Sequence, residues 1–171
     1  LPTDAETQRV RDGGFEALDA VLAEMMTEEA FYDRVVEIFN DHFLTDRYIN
    51  QTDAIDLLDG EDYPTSYWFD ELPDGERELA EDYANEGVAR EALELVAHIV
   101  RNDRPLTEIV TADYMVVNPY SARVYGIDAS FEDPSDPNEY VEARRPGVPH
   151  AGVLTSHIFL NRFPTTATNR N

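Results

Sequence analysis

The sequence predicts a mainly α-helical fold, an irregular helical bundle with a long aromatic loop and a short β hairpin near residues 128–145. Apolar residues recur at the three- and four-residue spacing of helices over much of the chain. Turn signals built from proline and glycine concentrate between residues 45 and 75, a stretch that is also rich in aromatic residues. The hydrophobic content of 42% is sufficient for a core, although the formal net charge is −23.

Two helices are expected first. The apolar face of the first helix carries Leu18, Val21, Leu22 and Met25. Thr27 occupies the N-cap position of the second helix, which continues to Phe43. The loop that follows is expected to pack on the helices because it is so aromatic. Its acidic residues do not have the spacing of an EF-hand calcium loop: Asp53, Asp56, Asp59, Glu61 and Asp62.

The longest helical pattern covers residues 76–102, and Gly87 is expected to break or kink it. Arg104 precedes a proline, which disfavours helical backbone and ends the element. An extended segment at 114–117 leads to a short helix that opens with Asn118 as N-cap and closes at Gly126.

A turn-rich acidic stretch at 132–138 is the best candidate for a domain boundary. We therefore expect a helical module over residues 1–130, and a linker with the start of a second, truncated module over residues 131–171. A short strand is expected at 140–144. Another helical face follows, formed by Val153, Leu154, Ile158 and Phe159.

The charge is the strongest compositional signal. All 13 basic residues are arginine. Residues 1–104 hold 28 acidic residues and 8 arginines, a net charge of −20. Residues 105–171 hold 8 acidic residues and 5 arginines, a net charge of −3. Such a field repels phosphate backbones and anionic lipid, so nucleic-acid partners are not expected. No apolar run is long enough for a membrane span. The acidity predicts either a well-solvated surface or a docking face for a cationic partner such as a basic cytochrome.

The chain has no cysteine. This excludes disulfides, thiolate zinc sites and the Cys-x-x-Cys-His attachment of haem c within these residues. The first residues lack the charged and apolar regions of a signal peptide, and secretion remains open because a processed chain would look the same.

Two stretches resemble a known group of proteins. The first runs from Asp103 to Asn118 and continues through Ala122-Arg123-Val124-Tyr125-Gly126-Ile127, and the second runs from Ala151-Gly152-Val153-Leu154-Thr155 to Arg170. In this order they resemble a module of unknown function, and the start of the next module, in large exported bacterial proteins that carry planctomycete-type cytochrome c domains. The resemblance implies a periplasmic, cell-surface or extracellular protein. It also implies that haem c belongs to the rest of the parent polypeptide or to a co-purifying partner chain.

One helix face is a candidate metal site. Glu91, Glu94 and His98 share it at spacings of three and four residues, which suits a carboxylate–histidine site. No matching second helix exists, and an exposed pair of Glu94 with His98 is the alternative.

The histidines suggest two further sites. His42 lies near the apolar face of the second helix and is a candidate for an axial haem ligand supplied to a partner. The alternative is a partly buried histidine whose ring is hydrogen-bonded to a backbone carbonyl. His150 and His157 lie near Thr155 and Ser156, yet no Gly-x-Ser-x-Gly motif is present, so a serine hydrolase is not predicted.

A polar block between the predicted strand and helix is either a binding site or a structural lock. It contains Asp113, Tyr114, Asn118, Arg123 and Tyr125. In the preferred lock, Asn118 caps its helix, Arg123 pairs with Asp113, and Tyr125 packs against the last helical turn. The only basic cluster, Arg144-Arg145 with Arg162 and Arg170, is expected to meet the acidic first hundred residues or an anionic partner.

Three functions follow from these observations. The first is a non-catalytic structural and interaction module of an exported cytochrome-associated protein, with an acidic docking face. The second is a part of a haem c-dependent oxidoreductase or electron-transfer assembly, which rests on the resemblance alone. The third is a surface module that binds calcium or carbohydrate through the aromatic loop 48–69. The chain is not expected to be an enzyme on its own.

Overall fold

A computed structural model describes residues 2–50, 53–58 and 60–163 of the chain. Its longest element is helix α4, which spans Asp74–Arg101 and contacts most of the other elements. Small and aliphatic side chains surround the second half of α4, so it is buried on nearly every side between Ala84 and Ile99. The described part contains seven helices and one two-stranded sheet, which confirms the predicted mainly α-helical fold.

Helix α4 runs unbroken through Gly87, so the predicted break or kink is wrong. A Cβ atom at position 87 would lie 2.6 Å from Oδ1 of Asn118 and 2.8 Å from its Nδ2, closer than real Cβ atoms approach other atoms. The glycine is therefore explained by close packing of α4 against Asn118 rather than by its backbone conformation.

Helix α1, Asp4–Met25, folds back on itself. It begins with a capping box, in which Thr3 and Glu6 exchange hydrogen bonds. Its backbone leaves the helical region at Gly14, where φ is 62° and ψ is −145°. Arg9 forms an ion pair with Glu24 at 2.7 Å, although a straight helix would hold these residues about 22 Å apart at its rise per residue. The two halves of α1 are therefore antiparallel neighbours.

Helix α2, Glu29–Phe43, packs on α4. Its N-cap is Glu28, so the prediction of Thr27 as the cap is wrong. The Thr27 hydroxyl instead donates to the carbonyl of Glu24 at 2.7 Å. That carbonyl is one of the last in α1 and has no partner within its helix, which explains why it captures the hydroxyl.

The aromatic segment after α2 packs on α4, as predicted. Asn85 of α4 fixes it at two points, accepting from the Ala54 amide at 2.5 Å and donating to the Tyr48 carbonyl at 3.1 Å. The segment forms helix α3 (Arg47–Asn50) and two 3₁₀ turns (Ile55–Leu57 and Trp68–Glu71). Its buried apolar side chains include Tyr48, Ile55, Leu58, Tyr63 and Phe69.

The two strands pair across a long connection. Helix α5 (Glu108–Thr111) precedes strand β1 (Met115–Val117), helix α6 (Pro119–Val124) follows, and strand β2 is Val141–Ala143. The strands are antiparallel, with Met115 opposite Ala143. The strand predicted at 140–144 is confirmed, but a local hairpin within 128–145 is wrong. Turns at Asp133 and Asp136 occupy the chain before β2 and leave no local strand to pair with it.

Residues after 130 join the same core. Ile158, in helix α7 (His157–Arg162), is fully buried in the cluster that contains Tyr48 and Val124. Gly152, with φ of 54°, passes against the α5 backbone, and its amide donates to the Ala112 carbonyl at 2.9 Å. The predicted boundary at residue 130 remains a prediction, while these contacts tie residues 131–163 to the first module. Among the described helices, none is both long and apolar enough to cross a membrane.

Candidate functional site

Glu91 is a buried carboxyl group in the middle of α4. Its side of the helix is covered by α6, and the Tyr125 hydroxyl donates to its Oε2 at 2.6 Å. Burial raises the pKa of Glu91 to about 7, although the hydrogen bond from Tyr125 acts in the opposite direction. Burial, followed by the nearby Glu91, raises the pKa of Tyr125 well above its usual value. Of the two groups, Glu91 is therefore the one that titrates near neutral pH.

Tyr63 and His157 form a second hydrogen-bonded pair beside the first. The Tyr63 hydroxyl contacts Nε2 of His157, and the Tyr63 ring meets the Tyr125 ring edge-on with centroids 5.8 Å apart. Burial, together with the guanidinium of Arg145, lowers the pKa of His157, so its ring is neutral near pH 7. Arg145 lies over the Tyr63 ring, 4.1 Å from its centroid.

These groups surround a small cavity of about 30 Å³. It is large enough for a water molecule and too small for an organic substrate. Its polar wall can exchange protons, but it offers no space for bond-making on a bound molecule. The cavity is lined by Tyr63, Glu91, Met115, Tyr125, Arg145, Val148, His150, Thr155 and His157.

The structure separates the three residues of the metal-site candidate. Glu91 faces Tyr125, while Glu94 accepts from Arg90 at 2.8 Å. His98 contacts Glu142 of β2 at 3.0 Å, so the expected pair of Glu94 with His98 does not form. In the described ranges, no group of three metal-binding side chains converges.

The polar block is partly the predicted lock. Asn118 caps α6, accepting from the Ser121 amide at 2.7 Å, with Pro119 in the first turn. The predicted pairing of Arg123 with Asp113 is wrong, because the strand register places Arg144 beside Asp113 at 2.7 Å. Arg123 lies on the other side of α6, over the Trp68 ring at 4.6 Å.

Two aromatic members of the block have distinct contacts. Tyr114 donates to Glu108 at 2.7 Å, and the Arg104 guanidinium lies over its ring at 4.7 Å. Tyr125 is buried, as the lock requires, but its hydroxyl points at Glu91 and joins the cavity. The block is therefore divided between the start of β1 and the buried cavity.

His42 is exposed on α2, and its Nδ1 lies 2.9 Å from the Ile38 carbonyl. The backbone contact matches the alternative given for this residue, although the side chain is more exposed than expected. Its role as a haem ligand to a partner remains a prediction.

Of the basic residues near the C-terminus, Arg145 contacts the acidic first hundred residues, where it donates to the carbonyl of Asp62. Arg144 pairs instead with Asp113. Arg162 lies over the Phe163 ring, whereas Arg170 and the end of the second resembling stretch fall outside the described residues.

An acidic groove runs along α4 beside α2. It consists of two adjoining depressions of about 250 and 410 Å³ that share Tyr83 and Glu86. Its carboxylates are Glu29, Asp33, Asp53, Glu81, Asp82, Glu86 and Glu94. Its two cations are already paired inside the groove, Arg90 with Glu86 and Glu94, and Arg101 with Glu29. Seven acids against two arginines leave the groove with a net charge of −5.

The sequence analysis singled out Glu91 and Tyr125 but did not bring them together, and it gave Tyr63 no role. The four residues of the cavity network stand about 30 positions apart along the chain, at 63, 91, 125 and 157. No local spacing connects them. Tyr63 directly follows the acids Glu61 and Asp62, and His157 follows Thr155 and Ser156, so neither residue stands out from its local sequence.

Comparison with known proteins gives a family but no precedent for these sites. No curated protein and no solved structure matches the chain. The sequence pattern of the PSD4 family, described as a protein of unknown function (DUF1592), matches residues 3–127, which is most of the chain. The matched range includes Glu91, Tyr125 and the charged residues of the acidic groove, and it ends before β2. The chain therefore belongs to the PSD4 family of proteins of unknown function (DUF1592).

Proposed function

We propose that this chain is a structural and interaction module of a larger exported, cytochrome-associated protein, and that its acidic groove docks a cationic partner. The resemblance over residues 103–127, which lies inside the family-matched range, supports the link to such proteins. The partner is the remainder of the parent polypeptide or a co-purifying chain, and a basic c-type cytochrome has suitable chemistry. The location that follows from this proposal is outside the cytoplasm.

The observation that carries the proposal is the uncompensated charge of the groove. Both arginines are neutralised by the groove's own acids, and among the described residues no ion pair involves Asp33, Asp53, Glu81 or Asp82. The carboxylates lie along two adjoining depressions rather than on a convex surface. A negative cleft of this kind concentrates field lines and accelerates the approach of a cationic partner.

Haem c, in this proposal, is carried elsewhere than on this chain. Covalent attachment needs two cysteines, and the chain has none, so its residues do not fit that group. The contribution of the module is to recognise and hold a partner.

Binding of a basic c-type cytochrome, measured calorimetrically at several salt concentrations, tests the proposal. The affinity should fall as salt rises from 20 to 200 mM, since exposed charges are screened over about a Debye length. The variant Glu81→Gln/Asp82→Asn should bind about 3- to 10-fold more weakly, because each exposed charge contributes up to about 1 kcal/mol.

The variant Glu16→Gln/Asp19→Asn is a matched control, since it removes the same charges from exposed positions on α1. It should bind nearly as well as the natural chain. Equal weakening by both variants would mean that net charge alone attracts the cytochrome. No binding at low salt would also refute the docking role.

A further inference from the structure

One wall of the cavity beside Glu91 is formed by residues that follow the family-matched range. Helix α4 carries Glu91, and α6 leads directly into Tyr125, so both belong to residues 3–127. The opposite wall comes from residues 145–157, between β2 and α7, through Arg145, His150 and His157. The cavity therefore lies at a seam between two parts of the chain.

The seam holds a carboxyl group without a counter-ion. Among the described residues no ion pair involves Glu91, and its hydrogen-bond donor is a neutral hydroxyl. Arg145, which lines the same cavity, is turned toward Tyr63 and the carbonyl of Asp62. An ionised Glu91 would thus be a buried charge stabilised by one hydrogen bond, which is an unfavourable state unless water reaches it.

The groups that face Glu91 come from each packed element. They are Tyr125 after α6, Tyr63 with neighbouring Asp62 from the aromatic segment, Arg145 and His150 from the chain after β2, and His157 from α7. Strand β1 contributes Met115, which does not titrate. On α4 itself, Arg90 and Glu94 neutralise each other. Arg145 is the only permanent cation in this set that faces the cavity.

We infer that residues 145–151 form a pH-sensitive lid over Glu91, closed while the carboxyl group is protonated and loosened when it ionises. Loosening admits water to the carboxylate, which is the least costly way to solvate it because α4 and α6 are held in the core. The lid extends from β2 to the buried Val153, and these two points act as its fixed ends.

The lid has few attachments of its own. Its residues 146–149 are exposed and Arg145, His150 and Ala151 are half-buried, whereas the residues that follow it, Gly152 and Val153, are buried. Two backbone hydrogen bonds hold that following pair, from Gly152 to the Ala112 carbonyl at 2.9 Å and from Val153 to the Ile109 carbonyl at 2.8 Å. Arg145 holds the side nearer the cavity through the Asp62 carbonyl and the Tyr63 ring. Segments with few buried contacts open locally, without global unfolding.

Glu91 and His157 act over opposite pH ranges. The pKa of Glu91 is raised from its ordinary 4.5 to about 7 in the closed state, so its support for closure is complete below pH 4.5 and is lost as the pH rises to 7. The pKa of His157 is lowered by burial, so its support is complete above its ordinary 6.5 and is lost as the pH falls below that value.

Hydrogen exchange of the full chain between pH 4.5 and 8, followed by mass spectrometry and corrected for intrinsic rates, tests the lid. The ratio of exchange in the natural chain to exchange in Glu91→Gln, for amides of 145–151, should grow by on the order of 100-fold from pH 4.5 to above 7. Amides in the second half of α4 should show no such change. His157→Gln should slow exchange of the lid only below about pH 6.5.

Glu94→Gln is the matched control, because it makes the same change one turn along α4 at a residue paired with Arg90. It should leave the pH profile of the lid unaltered. A Glu91→Gln profile that parallels the natural one would overturn the inference. An equal change in the lid and in α4 would also overturn it, since that result indicates global rather than local opening.

Discussion

At the scale of single residues, the contact between Tyr125 and Glu91 shows how burial and hydrogen bonding compete. Burial favours the neutral carboxyl group, and the Tyr125 hydroxyl favours the charged one. The pKa of Glu91 rises to about 7, so burial has the larger effect. The hydroxyl nonetheless satisfies an acceptor that would otherwise be buried without a partner.

Replacing Tyr125 by phenylalanine should therefore destabilise the fold. The ring and its contact with Tyr63 are kept, while Oε2 of Glu91 loses its donor at 2.6 Å. An unsatisfied buried acceptor costs about 1–3 kcal/mol, and we expect the free energy of unfolding in urea to fall by that amount.

Tyr67→Phe is the matched control for this change. The Tyr67 hydroxyl donates to Asp56 at 2.7 Å, but its side chain is 45% exposed and water can replace it. We expect a loss below about 0.5 kcal/mol there. If both substitutions lower the free energy of unfolding by the same amount, the burial of Glu91 does not explain the effect of removing the Tyr125 hydroxyl.

Residue-level predictions from sequence succeeded where the partner is local. Asn118 was identified as a helix cap because its partners lie two and three residues away, followed by proline at the first helical position. Arg123 was assigned to Asp113 because both lie in one short block. Its actual neighbour is Trp68, 55 positions earlier, and Asp113 is met by Arg144 through strand pairing. Neither the contact of Arg123 with Trp68 nor that of Asp113 with Arg144 can be predicted from closeness along the sequence.

At the scale of elements, α4 and α6 are fitted to each other through Gly87 and Asn118. Asn118 accepts from the first amides of α6, and its Nδ2 donates to the Pro137 carbonyl at 2.8 Å. This side chain therefore has a fixed position, and α4 passes directly against it. Because Gly87 has no Cβ atom, α4 can approach the fixed side chain of Asn118 closely.

Gly87→Ala should destabilise the chain, although alanine is the better helix former by about 1 kcal/mol. The added Cβ would lie 2.6 Å from Asn118 and force the cap or α4 to move, which we expect to cost about 1–3 kcal/mol as overpacking. Thermal and urea unfolding measure the effect.

Gly75→Ala is the matched control, since it lies in the first turn of α4 with nothing within 4 Å of the new atom. It should be neutral or stabilising. In an Asn118→Ala background, the penalty of Gly87→Ala should shrink, because the atoms that it strikes are gone. A stabilising Gly87→Ala in the natural chain would contradict the packing argument.

Elements were predictable from sequence to the extent that their signals are periodic. The long helix α4, the strand at 141–143 and the packed aromatic segment all follow from spacing and composition. The fold-back of α1 was missed, because two adjacent glycines, Gly13 and Gly14, do not specify which φ and ψ they adopt. The partner of β2 was missed because pairing over about 25 residues depends on the core between the strands.

At the scale of the whole molecule, the net charge of −23 opposes the compact state. The ion pairs of the described residues are exposed or half-exposed, and such pairs individually contribute at most about 1 kcal/mol. The buried clusters around α4 supply the opposing stabilisation, and they contain mainly aliphatic and aromatic side chains. The surface acids favour solubility at the expense of folding stability.

Salt should consequently stabilise the chain. Raising NaCl from 10 mM to 1 M shortens the Debye length from about 30 Å to about 3 Å, which weakens repulsion across the whole surface more than it weakens contact ion pairs. Each 1 kcal/mol gained raises the Tm by roughly 2–4 °C for a chain of this size, and we expect a rise of at least that amount in thermal unfolding at pH 7.5.

The charge-removing variant Glu16→Gln/Asp19→Asn distinguishes screening from specific ion binding in this experiment. Both residues are exposed on α1 and do not line the acidic groove. Their removal should raise the Tm at 10 mM NaCl and make little difference at 1 M, because screening has then removed the same repulsion. Potassium chloride should act like sodium chloride, since screening depends on ionic strength alone. A Tm that falls with salt would mean that the ion pairs, rather than the repulsion among the acids, dominate the electrostatics of folding.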